Sequence, residues 1–265
     1  MKNICVLVDF TDTSKVAIRY ACDLANKAQA RLQILHVMES SAKKPAAQVE
    51  HELEEFSSLS ETCKTEYQFI IEVGSFMDMI PRLLKQHETD LVIIATHGVK
   101  GIFHTVQGSE VLKLVQSFGI PAIIMQNQTP PDLSDIKKIL FPIASHENFE
   151  IKINQTATIA SLFGAEVQIF ALYPEDGPPA DNLSQNLEKA DRIFKEKGID
   201  TQIVKETSKV YGIGYAKQAL DYTSKTDIQL MSIMSHAPDD LNYFGNVERS
   251  DFILNSKGIP VLCCS

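Results

Sequence analysis

Two short stretches in the first half of this chain carry residue types able to hold a phosphorylated small molecule. One is Val8-Asp9-Phe10-Thr11, where a carboxylate directly follows an apolar run. The other is Ala95-Thr96-His97-Gly98, then the nine residues Val99 through Gln107, then Gly108-Ser109. Glycine lets backbone N–H groups approach a phosphate closely, and the start of a helix adds a favourable dipole. Each feature also has a plainer reading. Asp9 and Ser109 are both good helix caps, and glycines at strand ends commonly make turns. His97 lies in the second stretch, but no carboxylate is placed by the sequence to orient it as a base, so it reads as a turn residue.

Other chemistry is not encoded in recognisable form. The chain shows no Walker A loop and no pair of metal-ligand carboxylates at a familiar spacing, so no catalytic and no metal-binding residue is assigned. Its five cysteines (Cys5, Cys22, Cys63, Cys263, Cys264) are odd in number and include no C-x-x-C pair. They read as reduced, packed thiols of a cytoplasmic protein rather than as a disulfide framework or a zinc site. A net charge of −9 argues against a general nucleic-acid role, which needs a basic surface. No apolar run approaches the roughly 20 residues that span a bilayer, so no membrane role is expected. The opening MKNICVLVDF is interrupted too early for a signal peptide and reads as a buried first strand.

Strands and helices alternate around these stretches. Ile4–Val8, Leu32–Val37, Phe69–Val73, Leu91–Ala95 and Ala122–Met125 are apolar runs of strand length. Between them, Val16, Tyr20 and Leu24 mark one helix face. Val49, Leu53, Phe56, Leu59 and Cys63 mark another, and Met79, Ile80, Leu83, Leu84 and His87 a third. Val111–Phe118 supplies the helix before the fifth strand. This alternation predicts a parallel, doubly wound sheet with right-handed crossovers. Such sheets bind ligands beyond the carboxyl ends of their strands, where the strand order reverses. Both stretches singled out above leave such strand ends.

The pattern then repeats. Asn3-Ile-Cys-Val-Leu-Val-Asp9 is answered by Lys138-Ile-Leu-Phe-Pro-Ile-Ala144, and Thr89-Asp-Leu-Val-Ile-Ile by Thr226-Asp-Ile-Gln-Leu-Met. Gly119-Ile-Pro-Ala-Ile-Ile-Met125 is answered by Gly258-Ile-Pro-Val-Leu-Cys-Cys264. Three matches in one order, at offsets of 135 to 139 residues, indicate a duplication. Its seam falls in the polar, Pro-rich stretch Asn127–Ser134, and the expected domains are 1–128 and 136–265. Strands of the second half are expected at Ile139–Ile143, Val167–Leu172, Thr201–Val204, Leu230–Met234 and Val261–Cys263.

Taken with its spacing, the second stretch resembles the signature of the universal stress protein family: Gly-x-x-Gly, nine residues, then Gly-Ser/Thr. Ala95 replaces the first glycine; Gly98, Gly108 and Ser109 match. Val8-Asp9-Phe10 is similar to the family's first-strand ending, whose Asp contacts adenine. Leu35-His36-Val37 is similar to its second-strand ending, whose last residue contacts the base through its backbone. Gly74–Ile80 and Gly119-Ile-Pro121 match further landmarks. The resemblance covers essentially the whole chain. It implies two tandem doubly wound five-stranded α/β domains of the adenine nucleotide alpha hydrolase-like type, packed as a pseudo-dimer through their final strands.

The resemblance also implies a nucleotide site formed by Asp9, Val37, Ala95, His97, Gly98, Gly108 and Ser109. Its ligand would be ATP or AMP, with or without Mg, and not covalently attached. Val99 stands where nucleotide-binding members often carry Arg or Lys. In the second half Asp9 becomes Ala144, Gly98 becomes Ala237 and Gly108-Ser109 becomes Gly245-Asn246, with a shortened loop between them. That motif is expected to be degenerate. The implied function is a cytoplasmic stress-response protein, regulatory or protective, with an unidentified protein partner and room for further homodimerisation. The alternatives are a nucleotide-free interaction module and a slow ATP hydrolase. The Ser-Gly-Gly loop of the related ATP pyrophosphatases is absent.

Overall fold

A computed structural model describes residues 1–38, 54, 56, 63–96, 108–126, 128–130, 135–144, 149–179, 182–208, 215–236 and 246–265. The first-half strands are β1 (Asn3–Leu7), β2 (Arg31–Met38), β3 (Tyr67–Val73), β4 (Leu91–Thr96) and β5 (Ala122–Gln126). Those of the second half are β6 (Lys138–Ile143), β7 (Glu166–Pro174), β8 (Thr201–Ser208), β9 (Leu230–Met234) and β10 (Val261–Cys264). Helices α1 (Asp12–Ala28), α2 (Phe76–Gln86) and α3 (Gly108–Phe118) belong to the first half. Helices α4 (Glu150–Phe163), α5 (Leu183–Glu196), α6 (Tyr215–Thr223) and α7 (Asn246–Ile253) belong to the second. The helix expected around Val49–Cys63 lies largely outside the described residues; Glu54 and Phe56 are helical, and Phe56 is buried.

All ten strands form one sheet, in the order β3-β2-β1-β4-β5-β10-β9-β6-β7-β8. Each half winds outward from its first strand in both directions, so all pairs within a half are parallel. The halves join where β5 and β10 pair antiparallel, Val261 opposite Ile124 and Cys263 opposite Ala122. Neither of these final strands is left as an open edge, which removes a site of uncontrolled pairing. The expected pseudo-dimer of doubly wound domains is therefore a single continuous sheet.

Buried strands with apolar residues on both faces require helices on both faces. Alternation sends Ile4, Val6 and Val8 into a core shared with α1, and the same core continues under α4 and α5 of the second half. Cys5 and Leu7 point the other way, into a core shared with α2, α3, α6 and α7. Each core runs through both halves, with α1 meeting α4 on one face and α3 meeting α7 on the other. β8 extends past the expected Val204 because it stays paired with β7 as far as Pro174↔Ser208.

Candidate functional site

The strand order puts the switch point of the first half between β1 and β4. From β1 the chain goes to β2 and β3 on one side, then returns to β4 on the other. Leu7 is the last paired residue of β1, level with Leu35 and Ile94. Asp9, two residues further on, is therefore level with Val37 and Thr96. The structure thus brings Asp9, Val37 and the end of β4 to the place where an open α/β sheet receives a ligand.

Asp9 is buried, and its surroundings show how the turn is built. Its Oδ1 accepts hydrogen bonds from the Thr11 N–H at 3.2 Å, the Thr11 hydroxyl at 2.5 Å and the Ser14 hydroxyl at 2.6 Å. The Asp9 N–H donates to Ser14 Oγ at 3.0 Å. This carboxylate therefore fixes the passage from β1 into α1, close to the capping role open to it from sequence. Phe10 follows with φ 63, uncommon for a residue with a side chain and a form of strain that gathers at functional turns. Its ring is held 4.2 Å from that of His36 and 5.1 Å from that of Phe56. The buried His36 places Nδ1 2.8 Å from the Val8 carbonyl oxygen.

Val37 packs its side chain in the core beside α2. The Leu35 carbonyl accepts the Val8 N–H at 2.9 Å, so it points toward β1. In a parallel strand, peptide groups two residues apart point to the same side. The N–H and C=O of Val37 accordingly face the gap left where β1 turns away at Asp9. Ala95 directs its methyl into the core beside α1, with Ile93 and Met125, and not toward the residues of the opposite face. Gly108 and Ser109 form the first turn of α3, whose start lies at the carboxyl end of the sheet. His97 and Gly98 lie outside the described residues, as do Val99, Ala237 and Gly245.

Two further residues at this end of the sheet were not among the expected site residues. Thr96 donates its hydroxyl to the Met125 carbonyl at 3.0 Å, tying β4 to β5. Gln126, the last residue of β5 and level with Thr96, is 9% exposed, and its side-chain amide nitrogen has no hydrogen-bond partner among the described residues. A polar residue closing an apolar strand was the one available signal.

The second half treats the same positions differently. β6 pairs with β9 at Ile139↔Leu230 and Leu140↔Met231 and no further, whereas β1 stays paired with β4 to Leu7↔Ile94. Pro142, the counterpart of Leu7, has no N–H to give. Side chains then occupy the strand-end carbonyls. Lys152 Nζ, fully buried, donates to the Pro142 carbonyl and lies 4.0 Å from the centre of the Phe141 ring. The Tyr215 hydroxyl sits 2.8 Å from the carbonyl oxygens of both Ile143 and Phe170. Asn186 donates to the Ala144 carbonyl at 2.9 Å. Burial holds the Lys152 ammonium down to a pKa of about 7 and raises the neighbouring Cys264 thiol to about 11.

Elsewhere, a cavity of about 180 Å³ is lined by Arg31, Gln33, Glu66 and His87 among others. It opens at the amino ends of β1–β3, the wrong end of the strands for a ligand of this fold. Among the described residues no group of three His, Cys, Asp or Glu side chains is arranged to hold a metal ion. No helix among them is long and apolar enough to cross a membrane.

Residues 1–126 match the model of the Universal stress protein family. A universal stress protein from Archaeoglobus fulgidus DSM 4304 superposes with a TM-score of 0.67 at 12% identity, covering 99% of this chain and 96% of that one. A putative universal stress protein from Pseudomonas aeruginosa UCBPP-PA14 gives 0.65 at 16% identity, over 100% and 93%. These similarities describe the fold over both halves. No curated protein matches the chain. Residues 1–126 thus carry the match to the universal stress protein family, and both halves of the chain share the fold of those solved structures.

Proposed function

We propose that this chain binds one adenine nucleotide, ATP or AMP, in its first half, and acts as a cytoplasmic stress-response protein whose ligand shifts its shape or its affinity for a protein partner. The observation that carries the reading is the meeting of Asp9 and the outward-facing peptide groups of Val37 at the switch point. A paired N–H and C=O suits the donor and acceptor edge of adenine, and the start of α3 suits phosphate. Ala95, whose methyl is directed into the core, leaves that approach open. His97, Gly98, Gly108 and Ser109 complete the proposed set. Mg, if bound, would be held chiefly by the phosphates.

One ligand per chain follows from the sealing of the second half. There Lys152, Tyr215 and Asn186 already hold strand-end carbonyls, and Ala144 offers no carboxylate. The domains at 1–128 and 136–265 would then divide their labour, one receiving the ligand and the other completing the sheet. A regulatory readout requires the ligand to favour one conformation over another. Five buried, unbridged cysteines accord with a reducing compartment.

Calorimetric titration with ATP, ADP and AMP tests the reading. One site per chain is expected, abolished by Gly108→Val, which sets a β-branched side chain where backbone must approach phosphate. No heat at millimolar nucleotide from a folded sample would establish a nucleotide-free module. Release of phosphate at a steady rate would establish a hydrolase.

A further inference from the structure

We infer that Gln126 belongs to the phosphate subsite of the first half, with its buried side-chain amide donating to a phosphate oxygen of the ligand; this rests on the proposed nucleotide reading. Three observations converge on it. The amide nitrogen is buried with no hydrogen-bond partner among the described residues, a costly arrangement in the free protein that a ligand oxygen would relieve. Alternation puts Gln126 on the same face as Ala122 and Ile124, the face that α3 covers with Val111, Leu112 and Val115. Because α3 begins at the carboxyl end of the sheet, Gln126 closes β5 at the end where Gly108 and Ser109 open the helix.

Position selects the part of the ligand. Neighbouring strands lie about 4.8 Å apart, so the end of β5 is roughly 10 Å across the sheet from Asp9 and roughly 14 Å from Val37. A base held by Asp9 and Val37 is out of reach of Gln126, whereas phosphates carried beyond the ribose toward α3 are within it. Thr96, the intervening strand end, has committed its hydroxyl to Met125. The counterpart in the second half lends contrast. Ser265 bonds Ser235 through its hydroxyl at 2.7 Å and Gln155 through its backbone, so its polar groups are already engaged.

The test compares the full chain with Gln126→Met, which keeps length and volume but removes the donor. ATP and adenosine are titrated into each protein, and thermal unfolding is followed without ligand. The expected result is ATP affinity lower by about tenfold or more in the variant, adenosine affinity unchanged, and a free protein at least as heat-stable as the original. Retained adenosine binding shows that the variant is folded and its base pocket intact. Equal ATP affinity in the two proteins, or a variant less stable without ligand, overturns the inference while leaving the nucleotide reading standing. Failure of the unaltered chain to bind either ligand overturns the nucleotide reading, and the inference with it.

Discussion

On the proposed function, Asp9 serves structure and ligand with one side chain. The sequence left helix cap and ligand contact both open, and the structure shows the carboxylate at work in the turn into α1. Oδ1 is engaged by Thr11 and Ser14, which fixes the carboxylate at the switch point before any ligand arrives. Such preorganisation removes an ordering cost from binding. Ser14 is the residue to alter, because its buried hydroxyl meets both the Asp9 carboxylate and the Asp9 N–H. Ser14→Ala is expected to cost about 1–3 kcal/mol in stability, read by urea denaturation, since two partners lose a buried hydrogen bond. On the proposed function it also weakens ATP binding without touching the ligand. Unchanged stability would show that the hydroxyl is dispensable to the turn.

At the scale of elements, the contrast is between the β1–β4 and β6–β9 junctions. Pro142 ends the pairing of β6 with β9, and the carbonyl it exposes is taken by an ammonium from α4. A buried lysine has a definite signature. Its pKa is held down to about 7 in the folded chain by burial, against 10.5 ordinarily. Below both values lysine is charged in either state, and the fold bears the full cost of a buried ammonium. Between them the unfolded chain binds more protons than the folded one, so this group makes stability rise with pH. Lys152→Met is therefore expected to flatten the rise between about pH 7 and pH 10, by a few kcal/mol at most. Denaturation curves at several pH values, variant against original, check it. Parallel curves would mean that Lys152 keeps an ordinary pKa.

For the whole molecule, duplication gives near-symmetry and the linker breaks it. Gly119 and Gly258 open the same Gly-Ile-Pro turn with φ of 64 and 66. A Cβ on Gly119 would meet nothing within 4 Å, whereas one on Gly258 would come within 2.4 Å of the Gln128 backbone. The linker lies against that turn, and the Thr129 hydroxyl donates to the Gly258 carbonyl at 2.8 Å. Gly119→Ala is expected to cost about 1–2 kcal/mol, the strain of a left-handed residue alone. Gly258→Ala is expected to cost clearly more, because backbone cannot yield as a side chain does. Thermal unfolding of both variants decides it; equal losses would mean that the linker moves aside freely.

The sequence by itself determined the winding and the duplication. Apolar runs such as Ile4–Val8 and Leu91–Ala95 are local signals of buried parallel strands, and the Gly-Ile-Pro pairs repeat at a readable offset. It also singled out Asp9 and the Gly108-Ser109 helix start, since strand ends and helix starts are local features too, whereas Val37 came from the family resemblance. Tertiary structure alone decided the rest. In the second half Lys152, Asn186 and Tyr215 arrive from three different helices at the carbonyls of Pro142, Ala144 and Ile143, and Gln126 stands out only once its burial is known. Periodicity records which face a residue takes. Which carbonyl a buried donor finds, or whether it finds one at all, depends on neighbours distant in the chain and is fixed only when the layers close.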